Sequence, residues 1–90
     1  MIRVNFTVNL AVHLPCPPVE VPGAGTVREV LMAALADNRR LLSYILDDQG
    51  ALRHHMLISI GSKPIHDRKR LSDPVPDGAE VYVLQALSGG

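Results

Sequence analysis

Apolar residues change their spacing at Thr26. Before it, Ile2, Val4, Phe6 and Val8 alternate strictly with Arg3, Asn5 and Thr7, the period of two by which a strand buries one face. After it, Val27, Val30, Leu31, Ala34 and Leu35 recur along one helical stripe, while Arg28, Glu29 and Asp37 fall away from it. A chain patterned in this way has to lay a helix across a sheet, because neither element can cover its own apolar face. Thr26-Val27-Arg28-Glu29 fits a capping box, so the helix is predicted to start at Val27.

The remaining elements follow from local chemistry. Pro15-Cys16-Pro17-Pro18 cannot supply a run of ladder donors, and Val19-Glu20-Val21 reads as a returning edge strand. Leu41, Leu42, Ile45 and Leu46 predict a short second helix over 39–46 that stops at the turn formers Asp47-Asp48-Gln49-Gly50. Met56, Ile58 and Ile60 alternate with Leu57 and Ser59 as a further strand, with a short edge piece over 63–66. Residues 67–79 read as a polar loop anchored by Leu71 and Val75, and Asp77-Gly78 turns the chain into the β-prone run Glu80-Val81-Tyr82-Val83-Leu84. This order predicts an α+β roll of the β-grasp type, with a mixed sheet of four to five strands on one main helix plus a short second helix. The first and last strands are expected side by side at the sheet centre.

The 90 residues suffice for one domain over 1–90, with 86–90 as a flexible C-terminal tail. The core has to be aliphatic, since Phe6, Tyr44 and Tyr82 are the only aromatic residues. Nine Lys and Arg balance nine Asp and Glu, so no net field gathers nucleic acid or an anionic membrane, and neither is expected as a partner. One cysteine excludes an internal disulfide. No apolar run approaches a membrane span and MIRVNF lacks the marks of a signal peptide, from which a cytoplasmic location is expected.

Several side chains invite a chemical reading and do not sustain it. Cys16 has no neighbouring base or helix N-terminus to lower its pKa and reads as a loop thiol. His54 and His55, adjacent on a predicted strand, would face opposite sides and could not share a metal; with His13 and His66 they read as surface histidines, and no metal site is expected. Asp67-Arg68-Lys69-Arg70 reads as a solvated mixed-charge loop, and Asp47 to Gly50 is too short for a calcium loop. Gly23-Ala24-Gly25-Thr26 precedes a helix but lacks the lysine of a P-loop and the spacing of a dinucleotide fingerprint, so no nucleotide site is proposed.

The last twenty residues, LSDPVPDGAEVYVLQALSGG, combine an Asp-Gly turn, a Glu-Val-led strand and a short exit ending at Gly89-Gly90. In this, and in the order of the MIRVNF start, the Thr-Val-Arg-Glu-Val helix entry and a strand from Leu52 to Ile60, the chain resembles the MoaD/ThiS family of ubiquitin-like sulfur carriers. The resemblance implies that Gly90 is adenylated by an ATP-dependent enzyme of the ubiquitin-activating type and converted to a thiocarboxylate by a sulfurtransferase or persulfide donor. A sulfur-accepting synthase would then take the sulfur. On this reading the chain is a protein co-substrate rather than an enzyme, and it binds no cofactor of its own, ATP being used by the partner. Gly89 and Gly90 lack the Cβ that would jam a narrow channel, and Ser88 and Leu87 would thread behind them. Alternation points Tyr82 and Leu84 outward if Val81 and Val83 point inward; with Leu57 they form the expected docking patch.

The chain is longer than a typical thiamine-pathway carrier and has the extra segment 39–46, which favours molybdopterin-type sulfur transfer first and a cysteine-type route next. Two other functions use the same fold: a ubiquitin-like modifier joined through Gly90 to target lysines, and a β-grasp interaction module that undergoes no chemistry.

Overall fold

The computed structural model describes residues 1–6, 17–23 and 25–85. The alternating start forms β1 (Ile2–Phe6), whose partner β2 (Val19–Val21) returns antiparallel with Ile2 opposite Val21 and Val4 opposite Val19. Thr7 and Val8, expected to extend β1, lie outside the described residues, as does Cys16. A two-residue strand β3 (Gly25–Thr26) leads into α1 (Val27–Ala34), and α2 (Arg39–Ile45) follows. The second half supplies β4 (Met56–Ile60), β5 (Lys63–Pro64), β6 (Pro74–Val75) and β7 (Glu80–Gln85).

Five strands form one mixed sheet in the order β2-β1-β7-β4-β5, while β3 pairs with β6 as a separate two-stranded ladder. The first and last strands lie side by side and parallel, with Val4 opposite Val81 and Phe6 opposite Val83, and β4 closes the other edge of β7 antiparallel. A parallel pair requires a crossover between its strands; here the crossover contains both helices, so their apolar faces meet one side of the sheet.

The core on that side is aliphatic. Ile2, Val4, Met56, Ile58, Val81 and Val83 come from the sheet, and Val27, Val30, Leu31, Leu35, Leu41 and Ile45 from the helical layer, each no more than 3% exposed. Burying such a side chain is worth about 1.5–3 kcal/mol, enough to fix the register of β1, β4 and β7, since a one-residue slip would turn these groups to water.

The start of α1 is fully satisfied. Glu29 N–H donates to Thr26 Oγ1 at 3.2 Å and Thr26 N–H donates back to Glu29 Oε1 at 2.9 Å, the capping box read from the sequence. The two donors before Glu29 go to a distant loop: Val27 N–H to the Asp73 carbonyl and Arg28 N–H to the Leu71 carbonyl, both at 3.0 Å.

That loop corrects the solvated reading of residues 67–70. Lys69 and Arg70 are exposed, but Arg68 is half-buried and its Nη2 donates to the Arg53 and Met56 carbonyls, both at 2.9 Å. Asp67 Oδ1 accepts from Lys69 N–H and Arg70 N–H, while Asp73 accepts from His66 N–H and Asp67 N–H. Leu71, fully buried, holds φ at +55°. This left-handed conformation costs a residue with a Cβ roughly 1–2 kcal/mol, which burial of the leucine side chain offsets.

Two boundaries also differ from the sequence reading. The strand expected from Leu52 to Ile60 begins at Met56, because Met56 N–H bonds the Arg53 carbonyl and closes a turn at His54-His55. Leu52 instead makes an isolated bridge with Leu46, which caps α2 in extended conformation. Among the described residues no helix is long and apolar enough to cross a membrane.

Candidate functional site

The side of the sheet away from the helices grades from charged to apolar along β7. At the beginning of β7, Arg3 lies between Glu20 and Glu80. Next comes the row Asn5, Tyr82 and Ser59. At the far end Leu84 stands opposite Leu57. Alternation from the buried Val81 and Val83 turns Tyr82 and Leu84 to this face, both half-buried, and leaves Leu57 42% exposed. The three residues named from the sequence as a docking patch therefore share one face, and its apolar end is where the chain leaves β7 for 86–90.

Polar contacts fix the middle of this face. Tyr82 OH donates to Glu80 Oε2 at 3.3 Å, Asn5 Nδ2 donates to the Val81 carbonyl at 3.4 Å, and Ser59 OH donates to the Gly61 carbonyl at 3.3 Å. No comparable tie holds Leu57 or Leu84, so the leucine pair presents the apolar part of the face. Leu87, Ser88, Gly89 and Gly90, the residues expected to be threaded and modified, lie outside the described residues.

Among the described residues, the other candidate groups are engaged elsewhere. The N-terminus of α1 offers no anion cradle, because its first donors already pair with Asp73, Leu71 and Thr26. His54 and His55 sit in a turn rather than on a strand, and His55 packs edge-on against Tyr44 with ring centroids 5.2 Å apart. Among the described residues, no group of three or more His, Cys, Asp or Glu side chains is placed to hold a metal ion. His13 and Cys16 are outside them.

The altered carboxylates belong to the scaffold. Asp67 is held down at about 2 by the Arg70 N–H first and the Ser72 hydroxyl next. Asp73 is lowered by the His66 and Asp67 N–H groups, Asp47 by the Ala51 and Gln49 N–H groups with a smaller effect of Arg53, and Asp77 by its bond to the Met1 amino group. All four favour the charged form through hydrogen bonds to it.

No family model and no curated relative matches the chain. Solved structures do. SAMP1 from Haloferax volcanii superposes with a TM-score of 0.77 at 23% identity, covering 99% of this chain and 98% of that one. A second structure, of the small archaeal modifier protein 1 of H. volcanii, gives 0.73 at 20% identity over 96% and 97%. A chain of the BexX/CysO complex from Amycolatopsis orientalis gives 0.80 at 19% identity over the whole of both chains. The fold is the β-grasp fold. At these identities the likeness concerns the path of the backbone, and it extends over the whole chain. In this β-grasp frame the Leu57–Leu84 pair and the exit of β7 are neighbours on one surface.

The bracing roles of Arg28, read only as lying off the apolar stripe, and of Arg68, read as solvated, are apparent only in three dimensions. Their Nη2 and Nε groups bond the carbonyls of residues 50, 53, 56, 69 and 70. No spacing rule announces a guanidinium directed at main-chain oxygens distant in sequence, and the sole signal was that Arg28 lies off the apolar stripe.

Proposed function

We propose that the chain is a sulfur carrier whose Gly90 carboxylate is activated and exchanged for a thiocarboxylate by partner enzymes. The observation that carries the reading is the apolar end of the outward sheet face, Leu57 beside Leu84, placed where β7 runs on toward Gly89-Gly90. A partner that grips this pair holds the end of β7, from which the chain continues toward Gly90. The β-grasp likeness to a chain of the BexX/CysO complex supports the reading.

A Gly90 carboxylate oxygen attacks the α-phosphorus of ATP and pyrophosphate leaves, giving an acyl adenylate. The outer sulfur of a partner's persulfide attacks the acyl carbon and AMP leaves, giving an acyl disulfide. A thiol then cleaves the S–S bond, releasing the thiocarboxylate and forming a disulfide between the two remaining sulfurs. The chain contributes its terminus and a docking face and is the substrate of each step rather than the catalyst. Molybdopterin-type sulfur transfer is the first acceptor to test and cysteine-type the second.

A second reading is favoured by the likeness to the small archaeal modifier protein 1 of H. volcanii: the same adenylate passes to a lysine amine, forming an isopeptide bond and releasing AMP. Both activated roles are tested against a non-covalent module by adding one alanine after Gly90 and incubating with host extract and ATP. Pyrophosphate release that depends on the unextended terminus supports activation; equal release by both forms, or by neither, contradicts it.

A further inference from the structure

Among the described residues, the five-stranded sheet ends at β2 on one side and at β5 on the other, and the β3–β6 ladder adds two further edges. A free edge presents unpaired N–H and C=O groups that an extended segment of another molecule can join. The hydrogen bonds on the inner side reveal which residues turn these groups outward, because successive residues of a strand direct them to opposite sides.

At β2 the pattern is set through β1. Arg3 N–H donates to the Ala79 carbonyl at 3.1 Å, so Arg3 faces β7 while Ile2 and Val4 face β2. Their partners Val21 and Val19 face inward in turn, and Glu20 directs its N–H to the free edge. Pro18 and Pro22 take the outward positions on either side of Glu20, and neither has an N–H. At β5, Ile65 N–H donates to the Ile58 carbonyl at 3.0 Å, which leaves Pro64 as the outward residue. The next outward N–H, that of His66, donates to Asp73 Oδ2 at 3.0 Å. At β6, the Asp73 carbonyl accepts from Val27 N–H and Val75 stands opposite Gly25, so Pro74 and Pro76 face outward. Across that ladder, Thr26 gives its outward N–H to Glu29 Oε1 at 2.9 Å.

Five of the seven prolines thus occupy outward edge positions, all of them exposed. Over these residues β5 and β6 offer no outward donor, and β2 retains one, at Glu20. We infer that the five prolines close the sheet edges to strand addition, so that other molecules, further copies of this chain included, engage the sheet by its face. Under the proposed function the terminus is drawn into a partner as an extended segment, and an open edge on a neighbouring copy would compete for it. The inference on the edges does not depend on activation of Gly90.

The test is sedimentation equilibrium of the full chain from micromolar to millimolar concentration, with amide hydrogen exchange read residue by residue. The parent is expected to stay monomeric. Pro18→Thr/Pro22→Thr restores outward donors on both sides of Glu20 and is expected to self-associate at concentrations about tenfold or more below any at which the parent does. The amides of residues 18, 20 and 22 should be protected in the associated form. Pro64→Thr makes the same change on β5, with protection expected at residue 64. The three positions are exposed and threonine suits a strand, so the variants keep their fold. Association of the parent with the Glu20 amide protected would overturn the proposal. So would monomers in both variants, or association that leaves the restored amides unprotected.

Discussion

Leu57 on β4 stands directly opposite Leu84 on β7, and both turn away from the helices. Two leucines paired on an open sheet face contribute little to the core. On the proposed function, their place at the end of β7 makes them the grip for an activating partner. Leu57→Glu is therefore expected to leave stability within about 0.5 kcal/mol of the parent, as for most surface changes, while raising the KM of the activating partner about tenfold or more with little change in kcat. A fall in kcat at unchanged KM would remove Leu57 from the docking surface.

Arg28 bonds three carbonyls from two loops while its own N–H is taken by Leu71. Bonds from charged donors contribute about 1.5–3 kcal/mol, and Arg28→Ala is expected to lower unfolding free energy in urea by about that amount. Arg28→Lys should recover less than half, because an ammonium cannot reproduce the fork. Full recovery in the lysine variant would show that charge alone matters there.

Leu71 separates backbone from side-chain energetics. Leu71→Ala loses the buried side chain, at about 2–5 kcal/mol, and keeps the conformational cost of φ +55°. Leu71→Gly loses the same side chain but relieves the backbone, so it should be about 1 kcal/mol more stable than the alanine variant. The usual order, alanine above glycine, would contradict the left-handed conformation.

Acid should loosen the loop that supports α1. Asp67 titrates at about 2 and Asp73 is lowered in the same direction, against an ordinary value of 3.8. Since the folded values are depressed, their contribution is complete above the unfolded value and is lost as pH falls from about 4 toward 2. The melting temperature should be steady at neutral pH and drop through that window. Asp67→Asn should lower it at pH 7 and flatten part of the drop; an unaltered acid profile in the variant would assign the transition elsewhere.

Elements with their own repeat or cap were legible before the structure. The Thr26–Glu29 capping box, the alternation over Met56–Ile60 and the terminal strand all declare themselves within a few residues. The β3–β6 ladder did not, because a two-residue strand has no period, and Pro74 would argue against one. The strand start at Leu52 was misplaced because the turn at His54-His55 is closed by a backbone bond without a glycine or proline to mark it. At the candidate site, alternation along β7 placed Tyr82 and Leu84, but pairing with Leu57 depends on the β4–β7 register, which only the three-dimensional structure displays.

Sulfur on Gly90 is read from the intact mass of untagged protein purified from its own host, with the terminal fragment sequenced to locate any change. A fraction heavier by the exchange of one oxygen for sulfur, mapped to Gly90, is expected. An unmodified terminus that stays unmodified after incubation with host extract, ATP and a sulfur donor would contradict the sulfur-carrier reading.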